Sequence, residues 1–244
     1  MQIKTVCITG ASKGIGYATA KAFADGKHHL ILNTHSDERS LNALRDEINS
    51  KYPGSCITSI GDVGNPAYVE QFLTEGERVF GPIDILINNA GTSFVGLLTD
   101  MSVEEWQRLM DTNLNSLFYT CKKVIPSMVK KQEGHIINIS SIWGNVGASC
   151  EVAYSASKGG VNLFTKALAK ELAPSHVQVN AIACGVIDTA MNARFSREEL
   201  KELAEEIPMG RLGSPEEVAQ MVYSITESPK YLTGQIITMD GGFV

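Results

Sequence analysis

A chain of 244 residues, 43% hydrophobic and 20% charged, is long enough to bury a sizeable core, and its ordinary composition excludes disorder and repeat arrays. A formal net charge of −6 without any basic block argues against nucleic acid and anionic membranes as partners and favours small molecules. Its five cysteines (Cys7, Cys56, Cys121, Cys150, Cys184) form no CxxC pair, so neither a disulfide frame nor a metal site is expected and they read as small buried thiols.

The stretch MQIKTVCITG enters an apolar strand at once, without a signal-peptide pattern, and no apolar span reaches about 20 residues, so the protein reads as cytoplasmic. Apolar runs at 5–9, 30–33, 57–60, 83–88, 136–139, 177–183 and 235–239 predict about seven strands buried on both faces. Amphipathic stretches at 15–24, 41–50, 67–80, 103–131, 154–172 and 215–224 predict the helices between them. Strand–helix alternation implies an α/β fold, a Rossmann-type doubly wound parallel sheet with helices on both faces. No linker divides the chain, so residues 1–244 read as one domain.

Ligands of such sheets bind beyond the carboxyl ends of the strands. The first strand runs into TGASKGIG, where Gly10, Ser12, Lys13, Gly14, Ile15 and Gly16 form a turn opening a helix, the context in which backbone N–H groups and the helix dipole hold a pyrophosphate. At the end of the second strand an NAD site usually carries an acid for the ribose 2′-hydroxyl. Here Asn33, Thr34, His35 and Ser36 stand instead, the first acid is Asp37, and Lys13 can reach a phosphate, so NADPH/NADP is the expected cofactor. Asp62 and Val63, ending the third strand, are placed for the adenine; Asn88, Asn89, Ala90 and Gly91, ending the fourth, are placed for the ribose.

The segment ISSIWGNVGASCEVAYSASKGG, residues 139–160, concentrates hydroxyls, glycines and one lysine. Tyr154 and Lys158 are four apart in a helical pattern, hence one turn from each other on one face. A phenol titrates near ~10, and a neighbouring ammonium favours its ionised form, making it a usable proton donor and base. Ser141, leaving the fifth strand, can hold a carbonyl oxygen towards Tyr154. Asn113, polar within a core-facing pattern, is read as the point where the long helix bends and as the holder of a water beside Lys158.

These residues resemble the short-chain dehydrogenase/reductase family over essentially the whole chain, through TGASKGIG, NNAG, Asn113, Ser141, YSASK, VNAIACG and YLTGQIITMDGG. The resemblance implies Tyr154 as general acid, Ser141 as carbonyl anchor, Lys158 as ribose ligand and pKa modulator, and Asn113 as relay. It further implies Gly185, Ile187 and Thr189 around the nicotinamide, a lid at about 190–210, a substrate pocket built with loops 92–100 and 143–151, and a homotetramer. One departure is Cys184-Gly185, where the family usually has Pro-Gly, which removes the preset φ of the turn. Within the family the chain is similar both to 3-oxoacyl-[acyl-carrier-protein] reductases of the FabG type and to a Gram-positive branch of elongation factor P 5-aminopentanone reductases. Reductases of the FabG type present basic residues to their acidic carrier where this chain has Gln132 and Ser175, with Lys130 and Lys131 nearby. Glu151, just before Tyr154, is either a helix cap or a contact for a cationic substrate.

Overall fold

The apolar runs pair into one parallel sheet. The computed structural model describes residues 3–192 and 195–244. Strands β1 (Lys4–Ile8), β2 (His28–Thr34), β3 (Cys56–Ile60), β4 (Ile85–Asn88), β5 (Gly134–Ser141), β6 (Val177–Cys184) and β7 (Ile236–Met239) lie in the order β3-β2-β1-β4-β5-β6-β7. Strand order reverses between β1 and β4, which opens a crevice beyond their carboxyl ends.

Successive side chains of a strand point to opposite faces, so a strand covered on both sides is apolar throughout. Val6, Ile8, Leu30, Leu32, Ile85 and Ile87 face helices α1 (Gly14–Phe23), α2 (Glu38–Lys51) and α9 (Pro215–Thr226). Cys7, Ile31, Leu86 and Ile136 face α3 (Pro66–Phe80), α5 (Ser116–Lys131) and α7 (Val152–Leu172).

Several boundaries differ from those read in the sequence. β2 begins at His28 and β5 extends from Gly134 to Ser141, because ladder bonds are made by the backbone and tolerate polar side chains that find partners. His28 Nδ1 lies 2.9 Å from Asp25 Oδ1, and Ser140 Oγ donates to Asn162 Oδ1 at 2.6 Å. The helix expected over 103–131 is interrupted at the place Asn113 suggested: α4 (Val103–Met110) passes through a π-turn at Asp111–Asn115 into α5. Two helices were not anticipated, α6 (Trp143–Val146) and α8 (Arg197–Glu206). Of the cysteines, Cys7, Cys56, Cys121 and Cys184 are buried, whereas Cys150 is half-buried on a left-handed backbone (φ 61°).

His135, at the start of β5, is 7% exposed and its Nδ1 has no hydrogen-bond partner. Burial, helped by the charge of Lys4 and outweighing Glu133, pulls the imidazole down to about 4. An unfolded histidine titrates near ~6.5, so the denatured chain takes up the proton first as pH falls. The contribution is complete above about pH 6.5 and lost towards pH 4, on the order of 3 kcal/mol if fully expressed. Urea unfolding of wild type and His135→Leu across that window is expected to show a flatter pH dependence in the variant; parallel curves would refute the assignment.

Candidate active site

The carboxyl ends of the strands line a cavity of about 580 Å³. At one end it is walled by Gly10, Ser12, Lys13, Gly14 and Ile15 of the turn after β1. Gly10 has φ 67°, and a side chain there would sit 2.9 Å from the Ala90 Cα. Gly16 is equally constrained but for another reason: its missing side chain would lie 2.3 Å from the Gly10 carbonyl oxygen. Gly16 therefore packs behind the turn and does not line the cavity. The turn leaves room for a ligand against backbone at the start of α1, the cradle a pyrophosphate requires.

Thr34, His35, Ser36 and Asp37 continue this wall, with Gly61, Asp62 and Val63 beyond. Asn33 also lines it, but its amide is committed elsewhere, donating to the Gly61 carbonyl at 3.0 Å and to the Tyr68 hydroxyl at 2.9 Å. Asp37 caps α2 by accepting the Ser40 N–H at 3.2 Å. Asn89, Ala90 and Gly91 line the middle, and Asn89 Nδ2 donates to the carbonyls of Thr9 and Gly10, both at 2.9 Å. Asn88, read as near the ribose, is instead in the core: its amide donates to Asn138 Oδ1 at 2.9 Å, and Thr120 Oγ1 donates to its carbonyl oxygen at 2.7 Å.

Ser141, Tyr154 and Lys158 meet at the other end of the same cavity. Ser141 ends β5 and its Oγ accepts the Trp143 N–H at 3.2 Å. Tyr154 and Lys158 project from the first turns of α7, with the Lys158 ammonium 5.7 Å from the centre of the Tyr154 ring. Lys158 is 4% exposed and donates to the Ile139 carbonyl at 2.8 Å. Burial pulls its ammonium down to about 8, with the neighbouring Cys184 acting in the opposite sense, and burial pushes the Cys184 thiol up to about 12. Asn113 lies outside the cavity wall and is wholly buried. Its Oδ1 accepts the Thr92 N–H at 2.8 Å, while Nδ2 donates to the Thr92 carbonyl at 2.8 Å and to Ser157 Oγ at 3.1 Å. A side chain on Gly91 would lie 3.5 Å from both Asn113 Oδ1 and Lys158 Nζ, which places the two within one small space.

Gly185, Ile187 and Thr189, after β6, form the opposite lip. Of the expected lid, Ala193 and Arg194 lie outside the described residues. Met191, Asn192, Phe195 and, from α8, Leu203 reach the cavity. Further lining residues were not expected from the sequence, among them Arg108, Thr112 and Ile142. Arg108, in the last turn of α4, and Thr112, in the π-turn that follows, are four apart, a spacing that sets them on one face. Trp143 and Leu203 fall in the 143–151 loop and the 190–210 lid that were expected at the pocket.

The family model for short chain dehydrogenase matches residues 4–200. The chain is 35% identical to an uncharacterized oxidoreductase, YmfI, of Bacillus subtilis over 98% of both chains. It is 38% identical to the 3-oxoacyl-[acyl-carrier-protein] reductase FabG of Chlamydia muridarum over 98% of this chain and 96% of the relative. With the same-named reductase of Thermotoga maritima it shares 37% identity over 99% and 98%. A sheet of this topology, a glycine turn at its switch point and a match along nearly the whole length agree: the chain belongs to the short-chain dehydrogenase/reductase family and is an oxidoreductase.

Proposed function

We propose that this chain is an NADPH-dependent ketoreductase, most like the reductases of 3-oxoacyl chains carried by acyl carrier protein. The observation that carries this reading is that Ser141, Tyr154 and Lys158 share one cavity with the glycine turn after β1. The cradle at Gly10, Gly14 and Ile15 suits a pyrophosphate, with Asp62, Val63, Asn89 to Gly91, Ile187 and Thr189 placed along the rest of a dinucleotide. When bound, the reduced nicotinamide supplies a hydride equivalent to a carbonyl carbon.

The protein's own groups handle the oxygen. Ser141 Oγ already accepts a backbone N–H, so its hydroxyl hydrogen is left to donate to a carbonyl oxygen. Tyr154 then gives its phenolic proton to that oxygen as negative charge develops there. Lys158 stabilises the resulting phenolate and holds the ribose. Asn113 fixes the π-turn and the Thr92 segment beside Lys158, with both amide hydrogens donated to protein groups, and its Oδ1, which accepts one N–H, keeps a second lone pair for a relay water. Residues 190–210 serve as the lid.

NADP preference rests on the absence of acid at Asn33–Ser36, on Lys13, His35 and Ser36 at the wall, and on the capping role of Asp37. NADPH is expected to bind at least about tenfold more tightly than NADH, and Lys13→Ala to narrow the gap, by fluorescence titration. Equal affinities in the wild type would sink the assignment. Exposed apolar side chains on α4, α5 and α7, Val103, Phe118 and Leu163, support a homotetramer, which we place in the cytoplasm. No described helix is long and apolar enough to cross a membrane.

A second reading is favoured by Glu151. It lines the cavity at the N-terminal boundary of α7, one turn before Tyr154. Near Lys130, the neighbouring Lys131 is engaged by Asp84, which weakens the basic surface available to an acidic carrier. Both features suit a ketone bearing an ammonium, as in elongation factor P 5-aminopentanone. The deciding experiment compares an aminoketone with an uncharged 3-keto thioester on wild type and Glu151→Gln. For the cationic substrate the variant is expected to raise KM about fivefold and for the thioester not at all. Equal effects on both substrates would leave the carrier-bound acyl chain as the better assignment.

A further inference from the structure

The last five residues reach the substrate end of the cavity from outside it. Asp240 follows β7, and its carboxylate accepts the N–H groups of Gly242 (2.9 Å) and Val244 (3.0 Å), folding the tail back on itself. The tail is fastened on two sides. The Gly185 N–H donates to the Met239 carbonyl at 2.8 Å, and the Met209 N–H donates to the Gly241 carbonyl at 3.1 Å. Phe243, half-buried although second from the last residue, has its ring 6.0 Å from that of Trp143, inclined at 60°.

Trp143 is the first residue of α6, a helix of only four residues that cannot hold its own orientation. Trp143 lines the cavity, and its backbone N–H donates to Ser141 Oγ at 3.2 Å. One side chain thus shapes the substrate wall while its backbone orients the hydroxyl placed for the carbonyl. Within the described residues, Phe243 is the aromatic partner recorded for that indole.

We propose that Phe243 is a positioning residue: it props Trp143 against the substrate, and through the Gly241–Met209 bond it couples this wall to the segment that follows α8. Its effect falls on substrate binding, since neither Phe243 nor Trp143 touches the glycine turn. The proposal rests on the ketoreductase reading for its choice of substrate, but the contact itself is tested without turnover.

Trp106 is the other tryptophan of the chain, so a Trp106→Phe background isolates Trp143 fluorescence. In that background Phe243→Ala is expected to move the emission to the red and increase acrylamide quenching. With S-acetoacetyl-N-acetylcysteamine as substrate, KM is expected to rise about fivefold with a much smaller change in kcat and an unaltered Kd for NADPH; Phe243→Tyr restores the emission, the quenching and KM. Unchanged emission overturns the proposal, as does a shifted emission with unchanged KM or a proportional loss of NADPH affinity. Phe243→Leu, which keeps apolar bulk without the ring, decides the question if the alanine variant does not fold. A wild type inactive on the thioester would strike the ketone reading instead, and the fluorescence would still decide whether Phe243 holds Trp143.

Discussion

Tyr154→Phe is expected to lower kcat for ketone reduction by about 10³-fold while NADPH affinity stays within about twofold. Only a hydroxyl is removed. The ring remains to pack at the start of α7, and Lys158 keeps its bond to the Ile139 carbonyl. Loss of a positioned acid costs about 10²–10⁴ in rate, and here no described lysine or histidine other than Lys158 and the distant Lys13 and His35 lines the cavity to replace it. Single-turnover reduction under saturating NADPH separates the proton step from product release. A variant that retains a tenth of the wild-type rate would show that Tyr154 is not the proton donor.

The sheet was legible because burial on both faces leaves short runs such as ILI and VCI with no polar alternation, and their regular alternation with amphipathic helices points to a parallel sheet. Polar ends of strands were not legible: His28 and Ser140 sit in the ladder because their side chains find partners, Asp25 three residues away and Asn162 twenty-two residues away. α8 escaped notice because the charges of REELKELAEE leave it no fully buried residue, although Ser196 and Glu199 form a capping box at its start. In the site, spacing made Tyr154 and Lys158 neighbours before any fold was known, and an asparagine in an apolar helix marked the π-turn. What spacing could not separate was Asn33 lining a wall with a committed amide from Asn88, two strands away in the sheet and in the core; both are asparagines at strand ends, and only their partners distinguish them. Trp143 falls in the 143–151 loop expected at the pocket, but its ring contact with Phe243, one hundred residues downstream, was not legible.

Lys158→Met is expected to abolish useful turnover and weaken NADPH binding, yet to make the protein without cofactor more stable. Lys158 is 4% exposed and its ammonium is held down to about 8 against an ordinary value of 10.5, first by burial. A base whose folded pKa lies below its unfolded one costs stability wherever the unfolded chain holds the proton more tightly. The cost is absent above about pH 10.5, grows as pH falls to about 8, and is constant below that, on the order of 3 kcal/mol. Methionine keeps the length and apolar stem without the charge, and forfeits the bond to Ile139, about 1 kcal/mol. The balance is about 2 kcal/mol at pH 7, or a rise in Tm of about 4–8 °C for a chain of this size. Thermal unfolding of both proteins at pH 7 and near pH 10 provides the check, because the advantage should shrink at the higher pH, where the folded lysine is already neutral and the unfolded one is losing its proton. A variant less stable than wild type at pH 7, or a gap that does not change with pH, would mean that the buried ammonium is well solvated by its surroundings. The expected result would make Lys158 a residue kept for chemistry against the stability of its own fold.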